Sequence, residues 1–222
     1  MKKIIVVAFL VGIQFTNAQV TKNLGDYDAV KVFDKLNVKL ISSNENKVVI
    51  TGNRENDVEV INKNGVLKIR MALSQLLAGD NIDIALYFKN IQSLYVNEGA
   101  VISSDAIFKQ TAIALYAQEG GQINVSLDVE KVDVKAVSGG IIDLKGKASN
   151  QKVNINSGGI LNARELVTFQ TTVNISAGGN ATINASTLVE AKVKAGWDVT
   201  IYGNPKESTQ KTILGGRITE IK

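Results

Sequence analysis

The side chains that could carry chemistry in this 222-residue chain are carboxylates, lysines and a few aromatics, because it contains no cysteine and no histidine. That composition excludes a thiol nucleophile, a Ser-His-Asp triad, a histidine-anchored metal centre and a structural disulfide. Any metal ion would need oxygen ligands alone. The remaining residues show no catalytic constellation, and we predict neither a metal site nor a cofactor.

Four aromatic side chains are the candidates for ligand contact. Tyr95 and Tyr116 occupy the same position in a repeated segment. Later repeats place other polar residues there: Lys135, Asn154, Asn174 and Lys192. These side chains should project outward as one strip, with Trp197 and Tyr202 near its far end. Exposed aromatic faces suit sugar stacking, although tyrosine is also an ordinary residue of strand exteriors.

The repeat that positions these residues spans about 91–203 and is marked by glycines. The first glycine of each repeat follows the last by 18 to 21 residues: Gly99, Gly120, Gly139, Gly158, Gly178 and Gly196. Aliphatic residues stand three and five positions before and after each one, as Ala136 and Ile142 do around Gly139, with the single exception of Ser104. Alternation on both sides of a turn, repeated along the chain, indicates stacked coils of short strands. We therefore predict an all-β fold, a single-stranded parallel β-helix (a β-solenoid) with about 20 residues per coil.

Each glycine is expected at a sharp corner that requires a positive φ, which glycine adopts without steric cost. A third short segment must close every coil. Four residues are predicted to supply its inward side: Ile107, Leu127, Leu166 and Leu188.

Residues 28–90 alternate as strands do but lack the glycine register. They are either wider, irregular early coils of the solenoid or a small sheet that caps it. The stretch 71–79 is predicted to form a helical turn, whose leucines are either exposed or cover an end: Leu73, Leu76 and Leu77. Residues 204–222, with Pro205 and many charges, are predicted to be a C-terminal cap against edge-to-edge aggregation.

Residues 1–18 have the pattern of a cleaved signal peptide. Lys2 and Lys3 precede an apolar run, which is too short to span a bilayer, and small residues follow at 16–18. Removal of the two lysines leaves residues 19–222 with a net charge of +2 and no transmembrane segment. No basic cluster with interleaved aromatics occurs, so nucleic acid is not a predicted partner. The chain is expected to be exported to the periplasm, the outer surface or the medium.

Three segments carry a resemblance to a known family. They are Phe33–Leu40, the turn and strand Asn64–Ile69, and the coils with Ser/Ala-Gly-Gly turns followed by Ile-Asn or Leu-Asn, such as Ile123-Asn124. Over about 28–205 the chain resembles the putative auto-transporter adhesin head domain, a domain of unknown function in secreted proteins of Bacteroidetes. The resemblance implies a right-handed β-helix in the cell envelope with an adhesive or scaffolding role. It carries over no site residues.

The sequence supports a non-enzymatic module that binds glycan or protein along its face, on a cell-surface or envelope partner. The alternative is a β-helical polysaccharide lyase or hydrolase, which would need convergent carboxylates. Glu98 and Glu119 share one column, but no third acid joins them by register. A self-assembling scaffold is a third hypothesis, and a homo-oligomer stays open.

Overall fold

The computed structural model describes residues 19–195 and 197–222, so the predicted signal peptide lies outside the described residues. The strands are β1 (Gln19–Asn23), β2 (Ala29–Val32), β3 (Asn37–Ser42), β4 (Lys47–Gly52), β5 (Val58–Lys63), β6 (Val66–Met71), β7 (Ile82–Phe88), β8 (Ser93–Val96), β9 (Val101–Ala117), β10 (Gln122–Val137), β11 (Ile141–Asn156), β12 (Gly159–Ser176), β13 (Gly179–Val193), β14 (Asp198–Tyr202), β15 (Glu207–Thr212) and β16 (Arg217–Glu220). Two single-turn 3-10 helices, Glu55–Asp57 and Leu73–Gln75, interrupt them. Within these ranges, no helix is long and apolar enough to cross a membrane.

The predicted β-solenoid is confirmed. Strands β9 to β13 each run through most of one coil and pair in parallel with the next coil. The solenoid has about seven turns, roughly 19 residues apart. Because equivalent residues are paired, Val134 lies opposite Val153, which lies opposite Val173, in one continuous inward column.

The interior includes the four columns that the sequence predicted. Every aliphatic residue assigned to them is buried, from Leu94 to Ile201. The one polar member, Ser104, is half-buried, and its hydroxyl donates to the carbonyl of Leu40 at 3.0 Å. Small aliphatic side chains from each coil therefore close one dry column along the axis, which is the main source of stability in such a stack.

The paired glycines at each turn have two different structural reasons. Glu119 (φ 49°) and Gly120 (φ 73°) are both left-handed, the geometry of a two-residue type I′ turn. The turns also stack, because the amide of Gly120 donates to the carbonyl of Ser138 at 3.2 Å. At Gly140, a second-position glycine, a Cβ would lie 2.2 Å from the carbonyl oxygen of Ala117. The first glycine thus supplies the corner and the second lets neighbouring coils approach.

The third segment departs from the prediction at one residue. Ile107 is 56% exposed, and Phe108 is buried in its place. Between Ser103 and Ile107 strand β9 contains two more residues than β10 has between their partners. Two added residues keep the inward and outward alternation of a strand, so Phe108, in the same phase as buried Ile102, lies opposite Leu127, and Ile107 points outward. Leu127 and Leu166 are buried as predicted.

Leu188 is only half-buried, and the next residue, Val189, is the fully buried one. Its coil pairs with β12 through two register shifts, one of them between Thr168 and Gln170. Val189 keeps the alternation of buried Ala181 and Ile183, which Leu188 does not share, so the prediction for Leu188 was wrong.

Residues 28–90 combine both predicted interpretations. Strands β2 and β3 form one parallel coil, and β6 and β7 form another. Their order along the axis is reversed, because β2 and β3 lie between β6 and β7 on one side and β8 and β9 on the other. Antiparallel strands β1, β4 and β5 flank this end.

The predicted helical turn in 71–79 is the 3-10 helix, and its three leucines are exposed to solvent: Leu73 by 72%, Leu76 by 54% and Leu77 by 49%. They do not cover an end of the core. Buried Asp34 holds this loop, since its carboxylate accepts from the amides of Met71 (3.0 Å) and Leu77 (3.2 Å).

Residues 204–222 contain two further strands, and β15 pairs with β13 while β16 pairs with β14. Their inward positions are mostly polar. Gln210 lies opposite buried Ala191, and Glu220 lies opposite buried Ile201. The Gln210 amide donates to the Glu220 carboxylate at 2.6 Å.

Candidate ligand-binding surface

The polar strip predicted from the sequence is one continuous column on the outer face. Tyr95 of β8 lies directly opposite Tyr116 of β9, and Tyr116 lies opposite Lys135. We call the full column the ladder; its members, in spatial order, are Lys68, Lys31, Tyr95, Tyr116, Lys135, Asn154, Asn174, Lys192 and Lys211. With strands about 4.8 Å apart, nine members span roughly 38 Å. The structure therefore adds three lysines that the glycine register did not reveal.

The ladder carries charge of one sign. Five of its nine members are lysines and none is acidic. Two pairs, Lys31 with Lys68 and Lys192 with Lys211, are direct cross-strand neighbours, an arrangement that is unfavourable in itself. In the described part of the chain, none of the five forms an ion pair. Stability of the sheet does not account for this row of cations.

The aromatic part of the ladder lies among cations. The ring of Tyr95 is 5.7 Å from that of Phe33, and the ammonium group of Lys31 is 5.5 Å above it. The ammonium group of Lys68 lies 4.7 Å from the Phe33 ring. Tyr116 is 36% exposed and offers its ring to solvent. Tyr95 is thus fixed by packing, while Tyr116 is the more accessible ring.

Burial raises the pKa of Tyr95, and the negative charges of Glu119 and Glu98 raise it further. Its phenol therefore stays protonated at neutral pH and can donate a hydrogen bond. Burial also raises the pKa of Glu98, and the neighbouring Asp34 carboxylate adds to this shift. The turns beside the tyrosines carry Glu98 and Glu119, so negative charge borders the basic ladder on that side.

Carboxylates elsewhere do not converge on a catalytic arrangement. Within residues 19–195 and 197–222 no group of three or more acidic side chains could hold a metal ion. Three other acids of the coils are in surface ion pairs: Asp105 with Lys39, Asp128 with Lys147 and Asp133 with Lys131.

Trp197 and Tyr202 lie apart from the ladder. Trp197 is 68% exposed in the turn before β14, and Tyr202 is the last residue of that strand. The guanidinium carbon of Arg164 lies 4.5 Å from the Tyr202 ring. Tyr202 lies opposite Asn184, near the start of the coil in which Lys192 is the ladder member, so the four predicted aromatics occupy two separate places. Only Tyr95 and Tyr116 are brought together.

A groove that the sequence analysis did not detect crosses strands β9 to β12. Its volume is about 660 Å³. We call it the corner groove; its lining residues are Gln110, Thr111, Asp128, Val129, Glu130, Lys147, Ala148, Ser149, Val167, Thr168 and Phe169. Exposed apolar residues on both sides of a buried threonine, Val167 and Phe169, were the available signal. This pattern can be recognised only when it is known which residues of the strand point inward.

The fold is shared with several solved structures from Bacteroidetes. A putative adhesin from Bacteroides fragilis aligns with a TM-score of 0.83 at 17% identity, covering 95% of this chain and 100% of the other. A putative lipid binding protein from Parabacteroides distasonis aligns at 0.71 and 16%, covering 94% and 98%. A putative adhesin from Parabacteroides merdae aligns at 0.66 and 14%, covering 94% and 97%.

At these identities the likeness shows the fold alone. No curated protein matches the chain in sequence. A family model does match, over residues 26–205, in agreement with the resemblance carried by the Gly-Gly coils. The chain therefore belongs to the family described as "Putative auto-transporter adhesin, head GIN domain".

Proposed function

We propose that this protein is a non-enzymatic, exported interaction module of the cell envelope or surface that binds glycan along the ladder. The observation that carries the proposal is the in-register pair Tyr95 and Tyr116, flanked by Lys31 and Lys135 on the neighbouring strands. Adjacent aromatic rings provide platforms for sugar faces, and flanking ammonium groups donate hydrogen bonds to oxygen atoms.

The lysines favour a glycan that carries carboxylate, sulfate or phosphate groups. A single-sign row of charges attracts a ligand of the opposite sign and speeds its encounter. Such a ligand would also relieve the repulsion between neighbouring cations such as Lys192 and Lys211. Family membership and the adhesin names of structural relatives support an adhesive role.

The enzyme alternative has less support. Glycoside hydrolysis needs two carboxylates on either side of a bound sugar. Glu98 and Glu119 instead lie on stacked turns, where the carbonyl of Glu119 accepts from the amide of Gly99 at 2.9 Å. Neither acid lines the corner groove.

The test is binding of the mature chain to a glycan array that contains neutral and acidic polysaccharides. We expect acidic glycans to bind, Tyr116→Ala to weaken binding at least about tenfold, and Lys135→Gln to weaken it less. Tyr202→Ala is the matched control, because it removes a tyrosine outside the ladder. Loss of binding in Tyr202→Ala or Trp197→Ala, with Tyr116→Ala unaffected, would move the site to the C-terminal aromatics.

A further inference from the structure

We infer that the corner groove is a second ligand site, which takes a short neutral oligosaccharide. It uses none of the ladder residues, and it has a different charge character. The inference therefore goes beyond the proposed function and does not depend on it.

The groove is formed by three rows of residues that cross the strands. The floor consists of Val129, Ala148 and Thr168, which are all buried and lie opposite one another on β10, β11 and β12. Outward residues on either side of the floor form the two walls. Four strands at about 4.8 Å spacing make a trough roughly 14 Å long, and its volume of about 660 Å³ lies in the range of small-molecule sites.

The floor is rigid. The Thr168 hydroxyl donates to the carbonyl of Asn184 at 2.9 Å and lies 2.8 Å from the hydroxyl of Thr171. The Gln110 amide, at the other end, donates to the carbonyls of Ile91 (2.9 Å) and Ala112 (2.8 Å). A ligand would enter a preformed trough, which lowers the ordering cost of binding.

One end of the groove is apolar. Val167 and Phe169 stand on opposite walls and are 51% and 62% exposed. A phenyl ring with most of its surface in water, beside a concave surface, is a candidate contact for the C–H face of a pyranose ring. Packing within the fold does not require either side chain at this position.

The middle of the groove is polar and carries both signs of charge. Asp128 and Lys147 form a 3.4 Å ion pair on one wall. Glu130 and Ser149 follow each other on the opposite wall, and Glu130 forms no ion pair among the described residues. Carboxylates accept from sugar hydroxyls, while the ammonium and hydroxyl groups donate to sugar oxygens. A neutral, hydroxyl-rich ligand can satisfy all of them.

The same groups disfavour other ligands. An acyl chain would strip water from Glu130 and from the Asp128–Lys147 pair without replacing its hydrogen bonds, which is costly for charged groups. An anionic sugar would place its carboxylate beside Asp128 and Glu130. Only the end near Val167 and Phe169 is apolar enough for a lipid, and it spans a single strand.

The experiment is isothermal titration of the mature chain with neutral trisaccharides of glucose, mannose, galactose, xylose and N-acetylglucosamine. Trigalacturonate and dodecanoate are titrated in parallel as the anionic sugar and the lipid. We expect one or more neutral trisaccharides to bind with a Kd below about 1 mM, and raised salt to change that affinity less than about twofold. Phe169→Ala should weaken binding at least about tenfold.

Two control variants locate the site. Ile107→Ala removes another exposed aliphatic side chain, one that does not line the groove, and Tyr116→Ala removes a ladder ring. Both should bind the neutral sugar as the wild type does. Absence of neutral-sugar binding at about 10 mM would overturn the inference, as would Phe169-dependent binding of dodecanoate in preference to sugar. Sugar binding lost in Tyr116→Ala but kept in Phe169→Ala would overturn it too, while leaving the proposed ladder intact.

Discussion

Replacing Gln151 by leucine is expected to stabilise the protein, because its amide group is buried in an apolar column. Gln151 is 3% exposed and lies between Val132 and Thr171 on the neighbouring coils. Its Oε1 accepts from the Thr171 hydroxyl at 3.2 Å, whereas its Nε2 has no hydrogen-bond partner among the described residues. Leucine has a similar volume and no polar atom to satisfy.

The expected size follows from these two contacts. An unsatisfied buried donor costs about 1–3 kcal/mol, and the hydrogen bond lost with Oε1 contributes about 0.5–1.5 kcal/mol. Thr171 keeps a partner in Gln151→Leu, because its hydroxyl lies 2.8 Å from that of Thr168. The balance is a gain of about 1 kcal/mol, equivalent to a rise in Tm of about 2–4 °C for a domain of this size.

Urea unfolding followed by circular dichroism measures the change. Gln122→Leu, the same substitution at an exposed position, is the control and should stay within about 0.5 kcal/mol of the wild type. Thr171→Val leaves both polar ends of the Gln151 amide unpaired and should cost about 1–3 kcal/mol. If Gln151→Leu lowers the unfolding midpoint as much as Thr171→Val does, the polar pair supports the core and the reasoning fails.

Three further outcomes are expected. Gly158→Ala should lower the free energy of unfolding by roughly 1–2 kcal/mol, because only its φ of 79° is unfavourable for alanine. Gly140→Ala should lower it several times more, because a Cβ there would lie 2.2 Å from a carbonyl oxygen. Equal losses in urea unfolding would contradict this. Because burial raises the pKa of Glu98, the stability it contributes is complete below the unfolded value of 4.5 and is lost as pH rises through the raised pKa. The Tm of Glu98→Gln should therefore rise relative to the wild type with increasing pH, and a constant difference would refute it. Changing both Gln210 and Glu220 to valine makes the inward side of the last coil more apolar, so light scattering should show concentration-dependent association; an unchanged mass would count against a capping role.

The core could be predicted from the sequence because each coil repeats the same local rule. A glycine corner fixes the phase of the strands on both sides, so the inward positions of Ile142 and Val134 followed from counting. Tyr95 and Tyr116 were placed together for the same reason. Because the coils stack in parallel and in register, two residues that stand the same number of positions from their own glycines lie side by side.

What escaped prediction depends on pairing between distant strands. Which residue of β9 lies opposite Leu127 depends on the pairing with β10, and it is Phe108 rather than Ile107. In β12 a one-residue register shift put Phe169 on the outer surface. The reversed order of the first two coils depends on which strands pair with each other, and the periodicity of the sequence does not predict that pairing. Lys31 and Lys68 were missed because their coils have no glycine corner from which to count.

A solenoid of this kind separates the residues that fold it from those that bind. Each coil uses its inward side chains for the core, and the pairing of strands leaves the outward side chain at each position free to vary. A residue type chosen at one outward position is brought to within about 4.8 Å of its counterpart in the next coil. Contacts that are weak singly therefore act on one extended ligand at once, which raises the effective concentration at each successive contact. The unfavourable closeness of the ladder lysines is then the expected cost of a surface shaped for a partner, since none of these side chains belongs to the buried core.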